Sequence, residues 1–197
     1  GVGWYGSRAT PGLFRDVLPA WNDSNLRNVS AQISSQLFFA HVRASTGTSI
    51  SRVNCHPFRY ENRLFMHNGQ IGGFDSIRRR LLLTVEPALF SHMEGSTDSE
   101  LFFYLLLGNN PDDNPKSAFA KTVQDVLNVM AEFDVQEPFR MSAAFSDGED
   151  IHAVRFASDD EPPSLYHGSL GPDAPAALSD RSGTLVVSEP LDESEDM

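Results

Sequence analysis

Only one cysteine, Cys55, occurs in the 197 residues. An internal disulfide framework and a cysteine-rich zinc site are therefore both excluded, and a reducing, cytoplasmic setting fits. No apolar run reaches the roughly 18 residues that a membrane-crossing helix needs; charge interrupts the longest stretches, as in Ile77-Arg78-Arg79-Arg80-Leu81. Positive charge is also scarce. Fifteen Lys and Arg stand against 27 Asp and Glu, a net charge of −12, so the basic footprint of a nucleic-acid binder is missing. Part of that acidity is local, falling between Glu189 and Asp196 in what reads as a solvated end. There is no internal repeat. The opening Gly1-Val2-Gly3-Trp4-Tyr5 lacks both an initiator Met and the charged-then-apolar order of a signal peptide. It reads as a chain entered in mid-strand, with the expectation that residues precede it.

What is present suits one substantial core, since 40% of the chain is hydrophobic and its length is short for two full domains. Residues 36–43 read as a buried strand. Residues 63–67 read as a second strand, stopped by the turn signal Asn68-Gly69. Phe74 to Leu83 reads as a short helix. Thr97-Asp98-Ser99-Glu100 has the composition of a helix start and opens an apolar run through Leu107. The clearest helix covers 116–133, with Phe119, Val123, Val126, Leu127, Met130 and Phe133 on one stripe. Strands follow at 139–145 and 150–157, joined by the hairpin-like Ser146-Asp147-Gly148-Glu149, then at 164–167 and 183–188. Segments 108–115 and 158–163 read as surface loops open to disorder. Strands, then helices, then strands favour an α+β fold over alternating βαβ units.

Four polar blocks interrupt this pattern at strand ends and helix starts, where scaffolds present functional groups. They are Ala40 to Gly47, Asn54 to Phe58, Met66 to Ile71 and Gly95 to Glu100. Taken singly, each has an ordinary reading. Arg43 is a surface ion pair, Asn68-Gly69 a turn, Asp98 a helix cap, and His41, His56 and His67 are core or turn histidines. The histidines lie on separate elements without a short ligand spacing, so no metal or cofactor is expected. Taken together, the blocks describe a pocket for a small zwitterion. Arg43 offers a planar fork for an α-carboxylate, and Asp98 offers a negative charge for an α-ammonium group. The Asn68 side-chain amide and the Gly69 backbone N–H are two donors able to hold the oxyanion of a tetrahedral intermediate. Such a pocket suits acyl transfer from a γ-glutamyl amide.

The motifs His-x-Arg-x-x-Thr (His41 to Thr46), His-Asn-Gly-x-Ile (His67 to Ile71) and Thr-Asp-Ser-Glu (Thr97 to Glu100) carry a resemblance in this order and spacing. The chain resembles the glutaminase domains of class II, or N-terminal-nucleophile, glutamine amidotransferases. Within them it is most similar to the stand-alone bacterial branch that resembles predicted amidotransferases and the γ-glutamyl hydrolases of ergothioneine synthesis. The resemblance runs from Gly1-Val2-Gly3-Trp4-Tyr5 to Val186-Val187-Ser188-Glu189-Pro190-Leu191. It implies a four-layer αββα sandwich and a nucleophilic cysteine directly after the initiator Met. The α-amino group of that cysteine serves as its own base, and its thiolate forms a γ-glutamyl thioester. Carried over residue by residue, Arg43 is the carboxylate anchor and Asp98 the ammonium anchor. Asn68 and Gly69 form the oxyanion hole, Thr46 lines the glutamine pocket, and His56 and His67 support it. On this reading residues 1–191 are a single type-2 glutamine amidotransferase domain without its N-terminal segment, and residues 192–197 are an acidic end.

The sequence departs from the family pattern in its nucleophile. Cys55 lies in mid-chain, has no α-amino group to activate it, and reads as a structural thiol. The nucleophile is expected upstream of Gly1, and the 197-residue chain alone is expected to be inactive. The expected ligand is glutamine or a γ-glutamyl small molecule, with a separate synthase subunit as a possible ammonia acceptor and no nucleic acid or membrane partner. The competing reading is a non-catalytic regulatory subunit that holds a glutamine-like ligand with Arg43 and Asp98.

Overall fold

A computed structural model describes residues 1–42, 51–170 and 183–190. Its elements in chain order are β1 (Val2–Trp4), β2 (Gly12–Phe14), α1 (Ser24–Ser30), β3 (Phe38–Ala40), β4 (Phe58–Tyr60), β5 (Arg63–Gln70), α2 (Phe74–Leu82), α3 (Pro87–Phe90), α4 (Asp98–Gly108), α5 (Pro115–Glu132), β6 (Arg140–Ser146), β7 (Ile151–Ala157), β8 (Tyr166–Ser169) and β9 (Thr184–Val187). Helices and strands are mixed, and every strand pairing is antiparallel. The strands form a sheet ordered β2-β1-β3, a sheet ordered β4-β5-β6-β7, and the β8-β9 pair.

The four-stranded sheet has two faces because successive side chains on a strand point opposite ways. On β5, Phe65 joins the larger core with Phe102 and Phe103 of α4, the latter ring stacked at 5.2 Å. Met141, Ala143 and Phe145 of β6 share that helix-covered face. Leu64 and Met66 of β5 and Ala144 of β6 point the other way. They meet Phe39 of β3 with Tyr5 and Leu37 in a second cluster. The described layers are therefore helices, four-stranded sheet and three-stranded sheet. The two sheets approach closely at Gly3, where a Cβ would stand 2.9 Å from Leu64 Cδ1. Tyr5 ties the layers further by donating its hydroxyl proton to the Ser146 carbonyl at 2.8 Å; burial pushes its phenol up to about 12.

The helices follow local chemistry. Thr97 caps α4 by accepting the Glu100 N–H, and Asn114 caps α5 by accepting the Ser117 N–H, with Pro115 in the first turn where its missing N–H costs nothing. Helix α4 is buried on every side from Ser99 to Leu107, which explains its uniformly apolar sequence. Helix α5 buries Phe119, Val123, Val126 and Met130 as its stripe predicts. Leu127, expected on the same stripe, is partly buried, and Phe133, the capping residue after Glu132, is 45% exposed.

Two expectations need correction. The buried strand over 36–43 is only Phe38–Ala40. It lies at an edge of its sheet, with Phe39 buried and Phe38 exposed. The strand expected to stop at His67 continues to Gln70, and Asn68-Gly69 lies within it, opposite Ser142 and Met141. Gly69 has φ +139°, and a Cβ there would sit 2.1 Å from the Arg140 carbonyl oxygen. The glycine allows an irregular strand to pass close to β6, not a reversal of the chain. The loop over 108–115 is pinned by Asp112, whose carboxylate takes the Arg63 guanidinium on both oxygens. The hairpin after β6 forms as expected, with Asp147 and Ser146 side chains accepting N–H groups from Glu149 and Gly148.

Candidate active site

The site begins where β5 loses a neighbour. Strand β4 pairs with β5 only from Arg63 to Phe65, whereas β6 follows it to Gln70. Beyond Phe65 one edge of β5 has no strand partner among the described residues, so its backbone groups are open to other partners. Side-chain exposure changes at the same place. Leu64, Phe65 and His67 are buried, and Asn68, Gly69 and Gln70 are exposed. They open onto a cavity of about 750 Å³ whose lining also includes His41, His56 and Asp98.

Asp98 reaches this cavity from the first turn of α4. Its Oδ2 accepts the Ile71 N–H at 2.9 Å, just past the end of β5, and its Oδ1 accepts the Ser99 N–H at 2.8 Å. A carboxylate has about four acceptor sites, so two backbone donors leave capacity for a cationic ligand group. A carboxylate at a helix N-terminus also lies where the backbone dipole favours negative charge.

The loop leading to Asp98 is held by two side chains that the sequence reading did not single out. Asn54 is buried and its Oδ1 accepts the Ser96 N–H at 3.0 Å. Glu100 is buried and its two oxygens accept the Glu94 and Gly95 N–H groups at 2.9 and 2.7 Å; burial raises its pKa. The Thr97–Glu100 spacing is that of a reciprocal capping box. The acid instead secures the preceding loop, and that spacing was the signal available in the sequence. Ser99 was missed for a different reason, because nothing in the sequence joins it to His67.

His67 lies on the helix-facing side of β5, with Nδ1 2.9 Å from Ser99 Oγ and its ring 6.5 Å from Phe102. Its Nε2 is buried without a well-formed hydrogen bond. Burial lowers its pKa, against the opposing pull of the Asp98 carboxylate and the Arg140 carbonyl. Burial thus disfavours the charged form of the ring. His56 is buried, 4.3 Å from the His41 ring and 4.7 Å from Phe58 between ring centres.

The fold therefore brings Asn68, Gly69, Asp98, His67 and His56 to one cavity. Arg43 and Thr46 lie outside the described residues. Cys55 is not among the residues lining that cavity; it lines a neighbouring one of about 220 Å³, with its thiol near the Asp16 and Ser51 carbonyls at 3.4 and 3.5 Å. Among the described residues, no helix is long and apolar enough to cross a membrane.

Comparison with known proteins bears on this arrangement. The family model for class-II glutamine amidotransferases matches residues 1–193. The chain is 35% identical over 176 residues to the probable glutamine amidotransferase DUG3 of Saccharomyces cerevisiae, covering 79% of this chain and 49% of the yeast protein. It is 28% identical over 131 residues to an uncharacterized protein of Methanocaldococcus jannaschii, covering 63% of this chain and 33% of that protein. The chain thus spans half or less of the length of these two relatives. A solved structure of a glutamine aminotransferase class-II domain protein from Silicibacter pomeroyi superposes with a TM-score of 0.83 at 39% identity, covering 98% of this chain and 78% of that one. With a family match over nearly its whole length, the chain belongs to the class II glutamine amidotransferases.

Proposed function

We propose that this domain hydrolyses a glutamine-type side-chain amide through a cysteine γ-glutamyl thioester. The observation that carries the reading is the edge of β5 without a strand partner among the described residues, where Asn68 and Gly69 share a cavity with Asp98. In the proposed reaction Asp98 holds the α-ammonium group and Arg43 the α-carboxylate, while Thr46 and His56 complete the glutamine pocket. A thiolate attacks the amide carbon, and the negative charge that develops on the carbonyl oxygen is taken up by the Asn68 Nδ2–H and Gly69 N–H. A pair of preorganised donors contributes most at that moment, when the charge is localised on one oxygen. Collapse of the intermediate breaks the C–N bond and releases ammonia with a proton delivered to the leaving nitrogen. Water then cleaves the thioester to free the acid and restore the thiol.

Cys55 is not assigned as the nucleophile. Its thiol is directed at backbone carbonyls and lines the neighbouring cavity. The attacking thiol is proposed to be an N-terminal cysteine of the full-length protein, whose α-amino group serves as base. The three stacked layers support the further proposal that the scaffold is the four-layer αββα sandwich of N-terminal-nucleophile hydrolases, with residues 1–191 as one domain. A synthase partner that receives the ammonia remains part of the proposal, as does a γ-glutamyl conjugate in place of glutamine.

The test uses the full-length protein with glutamine. Release of equal amounts of ammonia and glutamate, with a glutamine-like electrophile attached to an N-terminal cysteine, is the expected result. Attachment to Cys55 would overturn the assignment of the nucleophile. A second reading needs only ligand-holding groups: the Asp98 carboxylate keeps acceptor capacity toward the cavity, which suits a domain that binds glutamine without cleaving it. Saturable glutamine binding with no turnover would establish that reading instead.

A further inference from the structure

Asn68 and Gly69 occupy the part of β5 that has lost one strand neighbour, yet an oxyanion hole needs donors fixed to within about half an ångström. Two hydrogen bonds to the start of α4 bracket the pair. One residue before Asn68, His67 Nδ1 meets Ser99 Oγ at 2.9 Å. Two residues after Gly69, the Ile71 N–H meets Asp98 Oδ2 at 2.9 Å. The two anchors are themselves joined, because Ser99 Oγ lies 3.3 Å from Asp98 Oδ1 and the Ser99 N–H donates to the same oxygen at 2.8 Å. Ser99 is buried, and so is the His67 ring it meets.

We propose that Ser99, acting through His67, is a positioning residue that locks the oxyanion-binding segment of β5 to the Asp98 carboxylate. Neither side chain needs to touch the substrate. The Ser99 hydroxyl can donate to only one acceptor at a time. At 2.9 Å against 3.3 Å, His67 Nδ1 is the nearer partner of the hydroxyl, and the closer donor to Asp98 Oδ1 is the Ser99 backbone N–H at 2.8 Å. Asp98 then stays available to an ammonium group while His67 fixes the donors. The arrangement links the part of the site that binds the ground state to the part that stabilises the transition state. This inference rests on the amide-hydrolase reading for its kinetic consequences, and on geometry alone for its effect on the strand.

The test compares Ser99→Ala, Ser99→Thr and Val126→Ala in the full-length protein. Val126 is buried in α5 away from these contacts and serves as a control for lost stability. Ser99→Ala is expected to lower kcat for glutamine by about tenfold to a hundredfold, the scale of a small misplacement at a reacting centre. KM should stay within about threefold, because the anchors of the ground state remain. Ser99→Thr, which keeps the hydroxyl, should recover most of the loss, and Val126→Ala should keep its kcat while losing stability. Amide hydrogen exchange supplies a readout that needs no substrate. Ser99→Ala should speed exchange at Ile71 without altering exchange within α5. Unchanged Ile71 exchange, or a wild-type kcat in Ser99→Ala when the wild-type protein is active, would overturn the positioning role. A wild-type protein that hydrolyses no glutamine would sink the amidase reading and leave the exchange experiment to decide this one.

Discussion

Phe65 and Asn68 stand three residues apart on one strand and serve opposite ends. Phe65 is fully buried, paired with β4 on one side and β6 on the other, and stacked on Phe103. Asn68 is exposed, keeps β6 as its strand neighbour, and faces the cavity. The first half of β5 is defined by contacts it satisfies completely. The second half is defined by exposed groups that line the cavity. The lesson is that the loss of a neighbouring strand among the described residues, where β4 gives out, opens a core strand onto a cavity without any turn in the chain.

Five experiments would break or sharpen that contrast. The largest effect is expected from Phe65→Ala, which should cost about 3–5 kcal/mol of stability by emptying a packed site. Chemical denaturation measures this, and a loss under 1 kcal/mol would mean that the first half of the strand is not the keystone described. Next, Asn68→Ala should reduce kcat for glutamine in the full-length protein by about 10²- to 10³-fold, the usual scale for one oxyanion donor, with little change in melting temperature. Gly69→Ala should harm both activity and stability, since its Cβ would strike the Arg140 carbonyl at φ +139°. If Asn68→Ala unfolded the protein instead, the two halves of β5 would not differ in kind.

A smaller effect is expected from acid. His67 has its pKa lowered from the ordinary 6.5, chiefly by burial. Below about pH 6.5 the unfolded chain takes up a proton at this position that the folded protein refuses. Stability should therefore fall as the pH drops from 6.5 towards the folded value, with no contribution above 6.5. In His67→Gln that component should vanish, as seen in the slope of unfolding free energy against pH; an identical slope would place the acid sensitivity elsewhere. The smallest effect, about 1 kcal/mol, is expected from Thr97→Ala, which removes the cap that starts α4 just before Asp98. Thermal melts would detect it, and no change would show that packing alone holds that end of the helix.

Much of the architecture was legible because the helices announce themselves locally. The apolar stripe of α5 and the Thr97 start of α4 need nothing beyond spacing and caps. The short strands β2 and β4 and the helix α1 carried too little periodic pattern to be read in advance, being three to seven residues long. Asn68-Gly69 misled as a turn because the pair has the right local chemistry for one. What overrides it is β6, which pairs through Asn68 and Gly69 from more than seventy residues away in the chain. Asp98 was legible as part of a motif, but its bond to the Ile71 N–H was not.

The amino-acid sequence by itself determined the family, the acidic character, the main helices and the polar blocks that contain Asn68, Gly69 and Asp98. Those properties are written in residue types and their order. Tertiary structure alone decided that Asn68 and Gly69 lie within a strand, that its free edge among the described residues begins after Phe65, and that Ser99 meets His67. Each of these depends on where distant segments end relative to one another, and a backbone edge is open or closed only by what packs beside it.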